Sequence, residues 1–125
     1  MTKEEFFAFQ KEQFEKRLAI ARAKNADYTG GSQDPFANFK AVEVIGACSA
    51  EQGFLTRMTD KLARLGSFVK NGTLQVKDES VMDTLQDLAN YCDLFAGYLQ
   101  AKRQEELADL AAKPNRSASF SSDHY

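Results

Sequence analysis

The sequence predicts an all-α protein arranged much like a four-helix bundle, and three observations lead to that fold class. Apolar residues recur at helical spacing in four separate segments, which places them on one side of each helix. Residues that begin or end helices flank these segments. The length of 125 residues suits a single hydrophobic core. We therefore expect one domain over residues 1–112, followed by a flexible, Ser-rich tail at 113–125.

The first predicted helix covers about residues 3–24, with an apolar stripe of Phe7, Phe14, Leu18 and Ala21. The segment at 25–32 contains consecutive glycines and small polar residues, which favour a loop. Asp34 and Pro35 then predict an N-cap and a first helical residue, so a short second helix should cover about 35–47. The apolar residues of this second helix are Phe36, Phe39, Val42 and Ile45.

The third predicted helix covers about residues 50–70. Ser49 and Gln52 have the spacing of a capping box at its start, and Asn71-Gly72 is a typical helix end. Its predicted core stripe consists of Leu55, Met58, Leu62, Leu65 and Val69. The segment at 73–77 alternates between polar and apolar residues, which is compatible with a short extended strand.

The fourth and longest predicted helix runs from about residue 79 to a point between 103 and 112, with Asp78 as its cap. Its predicted core stripe consists of Val81, Leu85, Leu88, Cys92, Phe95 and Leu99. From about residue 90 the helix is apolar on nearly all sides, which predicts burial within a bundle or a dimer.

Composition and charge exclude several classes of function. The formal net charge is −2, whereas an extended nucleic-acid interface needs a clear excess of Lys and Arg. No apolar run approaches the ~20 residues that span a bilayer, and the first residues lack the layout of a signal peptide. Cys48 and Cys92 lie in apolar helical segments, so buried, free thiols are expected. We expect a cytoplasmic protein without a membrane partner.

The sequence also limits the chemistry that a catalytic site could use. His124 is the only histidine and lies in the predicted tail, which argues against a nucleophile activated by histidine. Cys/His zinc spacing and phosphate-binding glycine motifs are absent from the sequence. Any catalysis must therefore depend on carboxylates, Lys, Arg, Tyr or a metal ion.

The strongest candidate site is a row of carboxylates near the start of the fourth helix. Glu79, Asp83 and Asp87 are four residues apart, so successive side chains are displaced by about 40° around the helix axis. Asn90 lies on the same face and Tyr91 at its border. Carboxylate oxygens at this spacing suit Mg²⁺, and without a cation each like-charged pair costs about 0.2–0.5 kcal/mol. We expect this row to line a cleft, and the alternative is an ordinary solvated face.

Two further groups of residues are candidates for ligand binding. Arg57, Lys61 and Arg64 share one face of the third helix and could contact phosphate oxygens; alternatively, they form surface ion pairs with the carboxylates of the fourth helix. Near the first loop, the predicted binding residues are Lys24, Asp27 and Tyr28, with Asn25 beside them. The alternative for this segment is an ordinary polar turn.

Several segments of the chain resemble bacteriophage proteins of the nucleotide-modification-associated domain family. These segments are 57–65, 76–80 and 83–91, the last of which reads Asp-Thr-Leu-Gln-Asp-Leu-Ala-Asn-Tyr, and 24–28 fits the same pattern. That family is similar to the all-α, MazG-like nucleoside triphosphate pyrophosphohydrolases, which are usually oligomeric and hold magnesium on helix-borne carboxylates. The third helix of this chain departs from the MazG-like pattern, because it lacks a Glu-Glu-x-x-Glu cluster.

The resemblance implies roles for the residues singled out above. It implies that Glu79, Asp83 and Asp87 are ligands of Mg²⁺, and that Asp83, Asp87 and Lys61 act in catalysis. Together with the residues near the first loop, the expected substrate-binding set is Lys24, Asp27, Tyr28, Arg57, Arg64, Asn90 and Tyr91.

Three functions are compatible with these features. The first is magnesium-dependent hydrolysis of a (deoxy)nucleoside triphosphate to a monophosphate and pyrophosphate. The second is non-catalytic binding, in which a phage protein sequesters a nucleotide or a nucleotide-derived signal. The third is a helical interaction module without a small ligand. A homo-oligomer is expected, acting in the host cytoplasm if the chain is phage-encoded.

Overall fold

A computed structural model describes residues 1–72 and 80–113, apart from the side chain of Tyr28. The described part contains four helices and no strand, so the predicted all-α class is confirmed. The helices are α1 (Lys3–Thr29), α2 (Ala37–Val44), α3 (Ala50–Asn71) and α4 (Val81–Ala111). The predicted strand at 73–77, Glu79 and the predicted tail beyond residue 113 lie outside the described residues.

Helix α1 is longer than predicted, because the segment Asn25–Thr29 continues the helix instead of forming a loop. Asn, Asp and Tyr disfavour a helix by only a few tenths of a kcal/mol each, and the first glycine comes at Gly30. Gly30 has a φ of 59° and ends the helix in the left-handed conformation that glycine adopts without steric cost. At the other end, Thr2 and Glu5 form a capping box.

Helix α2 begins later than predicted, at Ala37 instead of Pro35, and ends at Val44. Asp34 nevertheless binds the backbone before the helix, because its Oδ1 accepts a hydrogen bond from the Phe36 amide at 2.9 Å. Its Oδ2 accepts another from Lys40 Nζ at 2.6 Å. Asp34 therefore fixes the turn that leads into α2, and the helix proper starts two residues after Pro35.

Both long helices of the second half carry capping boxes. Ser49 and Gln52 cap α3 as the sequence predicts, and Gly72 ends it with a φ of 75°. The cap of α4 is Ser80 instead of the predicted Asp78, and Asp83 is its partner in the box. The prediction missed this cap because Ser and Asp are about equally good N-caps, and both stand before the helix.

The helices pack in a ring in which α3 contacts α4 and α2, and α1 contacts α4 and α2. The centre of the ring is aromatic. The ring of Phe54 lies 3.8 Å from that of Phe39 and 4.9 Å from that of Phe95, nearly parallel to both. Tyr98 closes this cluster, with its ring centroid 5.5 Å from that of Phe54. The fold is thus held by contacts between residues far apart in sequence.

The predicted core stripes of three helices are wrong in part, because the helices are rotated relative to the prediction. Several side chains that were expected in the core are exposed, namely Phe7, Phe14, Leu18, Leu55, Leu62, Val69, Leu85 and Cys92. On α3 the buried positions are Ala50 and Phe54, and on α4 they are Thr84 and Tyr98. No helix in the described part of the chain is long and apolar enough to cross a membrane.

Candidate functional site

Three of the predicted site residues meet between α1, α3 and α4. Lys24 of α1 donates a hydrogen bond from Nζ to Asp87 Oδ1 at 2.7 Å. Lys61 of α3 forms an ion pair with the same carboxylate, with its Nζ 3.1 Å from Asp87 Oδ2. Each carboxylate oxygen of Asp87 therefore has a cationic neighbour from a different helix. This cluster of Lys24, Lys61 and Asp87 is called the lysine–aspartate bridge below.

The bridge lies in a partly desolvated position. The side chain of Asp87 is 19% exposed and that of Lys61 is 14% exposed, whereas Lys24 reaches the site from the solvent side. Burial alone would raise the pKa of Asp87, but the hydrogen bonds and positive charges of Lys24 and Lys61 outweigh it. The net effect is a pKa below the ordinary value for aspartate. Asp87 is consequently a carboxylate held in its charged form.

The bridge forms because each residue lies on the inward side of its helix. Asp87 falls eleven residues before Tyr98, and Lys61 seven residues after Phe54, so both point toward the same interior as these core aromatics. The flexible lysine stems can cover apolar surface while the ammonium groups reach the carboxylate. The sequence analysis expected Asp87 to line a cleft, and the structure places it between three helices.

Asp83 does not join Asp87 in a shared site. Its Oδ2 accepts a hydrogen bond from the Ser80 backbone amide at 3.3 Å, and its own amide donates to Ser80 Oγ at 3.1 Å. Asp83 is thus the third-position residue of the α4 capping box and is exposed. In residues 1–72 and 80–113 no group of three or more His, Cys, Asp or Glu side chains could hold a metal ion. Glu79, the third predicted ligand, lies outside these ranges.

The described pair, Asp83 and Asp87, does not offer the open oxygen ligands that a magnesium ion needs. A hard cation needs several oxygen ligands that are open to it, whereas both oxygens of Asp87 contact ammonium groups and Asp83 contacts the backbone. Two positive charges beside Asp87 would also repel a divalent cation at that position. Asp83 and Asp87 therefore have structural partners that account for their positions.

A cavity of about 470 Å³ lies between α1, the segment after it and α4. Its lining includes Lys24, Asn25 and Asn90, which the sequence analysis had placed in or beside the binding site. The full lining is Ala21, Arg22, Lys24, Asn25, Ala26, Thr29, Gly31, Ser32, Gln33, Asn90 and Leu94. Two of these residues are positively charged and none is negatively charged. The cavity therefore combines amides, hydroxyls and cations, a set that suits a polar anionic molecule.

The segment after α1 is fixed to the walls of this cavity by short-range hydrogen bonds. Asn25 Nδ2 donates to the Pro35 carbonyl oxygen at 3.0 Å, which ties the end of α1 to the start of the α2 turn. Thr29 Oγ1 donates to the Asn25 carbonyl oxygen at 2.8 Å. Lys24 connects the cavity to the lysine–aspartate bridge, so the two features share one wall.

Polar side chains that were not predicted as a contact connect α1 to α4. Gln86 Nε2 donates to the Gln13 side-chain oxygen at 2.8 Å and to its carbonyl oxygen at 3.0 Å. Arg17 donates to Gln86 Oε1 at 3.3 Å and pairs with Asp93 Oδ2 at 3.4 Å. The available signal was the polar residues at positions 13, 17 and 24 of α1, which recur at helical spacing. They indicated a helix that packs through polar groups.

The remaining predicted site residues are dispersed. Arg57 and Asp27 are exposed and do not line the cavity between α1 and α4. Arg64 lies 3.6 Å from Asp60 Oδ2 on the same helix and makes a further contact. Tyr91 packs edge-on against Phe39 with ring centroids 6.4 Å apart, so it contributes to the core. The side chain of Tyr28 is not among those described.

A second cavity, of about 380 Å³, lies at the other end of the α4 core and was not predicted. Phe36, Lys40, Tyr98 and Lys102 are among its lining residues. Next to it, Lys102 Nζ donates to Glu51 Oε1 at 3.0 Å. Burial raises the pKa of Tyr98 to about 12, and the charge of Glu51 and a hydrogen bond to it act in the same direction. Tyr98 is therefore an uncharged hydrogen-bond donor in this region.

Comparison of the chain with protein-family models, with curated proteins and with solved structures finds no significant match. The resemblance to the phage nucleotide-modification-associated family thus remains a prediction from the sequence motifs.

Proposed function

We propose that this protein binds a small phosphorylated molecule of the nucleotide type in the cavity between α1 and α4. The observation that carries the proposal is the composition of that cavity, which holds Arg22 and Lys24 and no carboxylate among its lining residues. Its volume of about 470 Å³ falls in the range of natural small-molecule sites. The same function is implied by the resemblance to a phage nucleotide-related family.

The two cations supply the groups that a phosphate would need. Arg22 and Lys24 are separated by two positions on α1 and both line the cavity. A guanidinium binds phosphate oxygens in a two-pronged manner, and an ammonium group adds a compact positive charge. Asp87 holds Lys24 at 2.7 Å, so the lysine is positioned before any ligand arrives. This preorganisation reduces the entropy that binding would otherwise cost.

The amide side chains supply the groups that a base or sugar would need. Asn25 and Asn90 come from opposite walls of the cavity, α1 and α4, and each offers both donors and acceptors. Leu94, Ala21 and Ala26 give the cavity an apolar portion against which a planar ring can lie. The cations of this cavity suit the phosphate end of a nucleotide, and the amides beside the apolar portion suit its base or sugar.

Binding without turnover is favoured over magnesium-dependent hydrolysis. Hydrolysis of that class requires carboxylates that are free to hold the metal ion and water. Among the described carboxylates, Asp87 is neutralised by two lysines and Asp83 caps its own helix. Sequestration of a nucleotide or a nucleotide-derived signal is accordingly the function that we propose.

Isothermal titration calorimetry with the full chain tests the proposal. The ligands are the common nucleoside mono- and triphosphates, in ribose and deoxyribose form, together with inorganic pyrophosphate. Each titration is run with Mg²⁺ and again with a chelator. We expect one nucleotide class to bind at a stoichiometry of one per chain in both buffers. Absence of heat with every ligand would overturn the proposal and leave an interaction module.

Matched variants locate the binding site. Arg22→Ala should weaken binding about 10-fold or more, because it removes a charged contact worth about 1.5–3 kcal/mol. Asn90→Leu keeps the branched side chain of four heavy atoms but removes its donors and acceptors, so it should weaken nucleotide binding more than pyrophosphate binding. Lys16→Ala, on the same helix but paired with Glu12 outside the cavity, is the control and should bind normally. Release of pyrophosphate from a triphosphate in the presence of Mg²⁺ would instead establish the hydrolase.

A further inference from the structure

Helices α3 and α4 each carry a row of apolar residues, and five of the six side chains in these two rows are exposed. Each row repeats every seven residues, which is the spacing of a coiled-coil seam. The rows consist of Leu55, Leu62 and Val69 on α3, and of Leu85, Cys92 and Leu99 on α4. Together they are called the heptad face below.

The exposure of this face is high for side chains of this type. Leu55 is 59% exposed, Leu62 55% and Val69 81%. On α4, Leu85 is 45% exposed, Cys92 is exposed and Leu99 is partly buried. Met58, Leu65, Leu88 and Phe95 each come three positions after a residue of the rows, and they are partly buried. The residues three positions after the rows thus pack inside the chain, whereas most residues of the rows themselves project outward.

Both rows lie on the same side of the α3–α4 pair, away from α1 and α2. Gly53 faces Val42 of α2, and Leu62 follows it by nine residues, or about 180° around the axis of α3. On α4, Asn90 lines the cavity next to α1, and Cys92 is about 160° away from it. The heptad face therefore forms the outer surface of the α3–α4 layer.

Charge and size indicate what fits this face. Between the ends of its row, α4 has two charged residues, and each has a partner on another helix: Asp87 binds two lysines and Asp93 pairs with Arg17 of α1. The charged residues of α3 in this interval fall on the opposite half of that helix. They are Arg57, Asp60, Lys61 and Arg64. The face is uncharged, so a partner with a complementary charge is not favoured.

The face has the dimensions of a standard protein interface. Helix α3 has 22 residues and is ~33 Å long, and two adjacent helices are ~20 Å wide. The resulting area of ~650 Å² approaches the ~800 Å² that each partner contributes to a stable complex. An apolar surface without charges is also complementary to itself, which a two-fold symmetric interface requires. A second copy of this chain meets all of these conditions.

The small core of a single chain adds an independent reason for a second copy. Five described residues have less than a tenth of their surface exposed, namely Phe39, Ala50, Phe54, Thr84 and Tyr98. A domain with so few fully buried side chains gains little stability from its own core. Burial of the heptad face would add the leucines of both rows to a shared core.

We propose that two copies of this chain dimerise through the heptad face, so that α3 and α4 of both copies form an intermolecular four-helix bundle. Cys92 is at the middle of its row, near the expected two-fold axis, so the two Cys92 thiols should lie within about 15 Å of each other. The cavity between α1 and α4 would remain open on the outer side of each copy. The dimer and the proposed ligand binding can therefore be tested independently.

Sedimentation analysis of the full chain tests the dimer. We expect a dimer at ~10 µM that is converted to a folded monomer by Leu62→Lys combined with Val69→Lys, with at least a 100-fold weaker dissociation constant. These positions are exposed in the single chain, so the monomer should retain its helical circular dichroism. Val44→Lys, at an exposed position of α2 outside the face, is the matched control and should remain dimeric.

Crosslinking distinguishes this interface from any other. A bismaleimide with a reach of about 15 Å should join two chains of the wild type and of Cys48→Ser, but not of Cys92→Ser. A wild-type chain that is monomeric at 100 µM would overturn the proposal. A dimer that survives both lysine substitutions and does not crosslink through Cys92 would equally overturn it, because such a dimer must use another surface.

Discussion

Removing the charge of Asp87 should destabilise the protein more than removing any exposed carboxylate charge. Asp87→Asn keeps the shape of the side chain but removes its negative charge. The ammonium groups of Lys24 and Lys61 then lie near each other without an anion between them. Loss of one partner costs about 3–5 kcal/mol in a fully buried pair and about 0–1 kcal/mol in an exposed one. Asp87 is mostly buried, but Lys24 is not. We therefore expect Asp87→Asn to lower the free energy of unfolding by about 1–3 kcal/mol.

Urea unfolding followed by circular dichroism at pH 7 measures this loss directly. Asp93→Asn is the matched control, because Asp93 is on the same helix and pairs with Arg17 while its side chain is 65% exposed. Its substitution should cost less than about 1 kcal/mol. In a thermal melt, Asp87→Asn should lower Tm by roughly 4–12 °C. Equal effects of the two substitutions would refute the role that we assign to the lysine–aspartate bridge.

The pH dependence of the same measurement provides a second check. The folded protein lowers the pKa of Asp87 below its ordinary value of 3.8, so the folded state binds the proton less tightly than the unfolded state. The stabilisation is therefore fully present above about pH 4 to 5 and is lost as the pH falls through the folded pKa. The wild type should lose this part of its stability in acid, and the difference between wild type and Asp87→Asn should shrink there.

Two further predictions concern single residues outside the bridge. Ser80→Ala should cost about 1 kcal/mol in urea unfolding, because it removes one half of the α4 capping box; a change within error would show that the residues before Ser80 can replace the cap. Tyr98 should resist ionisation until about pH 12 in an ultraviolet titration of the folded protein. Since its folded pKa lies above its unfolded value, Tyr98 contributes stability that is complete below pH 10 and is lost as the pH rises toward 12. An early phenolate signal that Tyr98→Phe removes would contradict this assignment.

The ends of the helices could be predicted from the sequence wherever local chemistry determines them. The capping box of Ser49 and Gln52 and the left-handed glycine at Gly72 occur as predicted. The end of α1 was predicted five residues too early, since a run of weak helix formers before Gly30 resembles a loop in the sequence. Such residues cost little individually. The hydrogen bonds from Lys24 to Asp87 and from Asn25 to the Pro35 carbonyl oxygen offset that cost.

The orientation of the helices could not be predicted from the sequence. Helix α3 has apolar residues at Phe54 and at Leu55, and periodicity alone does not decide which of the two faces the interior. The structure buries Phe54, because its ring stacks on Phe39 of α2 and Phe95 of α4. These partners are 15 and 41 residues away in sequence. A pattern on one helix contains no information about the shape of the surface that it meets.

The sequence by itself determined the all-α class and the four helices. Lys24, Asn25 and Asn90 were also singled out from the sequence, and they line one cavity. The tertiary structure alone decided that Asp87 binds two lysines instead of standing beside Asp83 in a metal site. The reason is physical: caps and helical propensity act within a few residues, whereas the charge state and the partners of a side chain depend on groups that the fold brings from other helices.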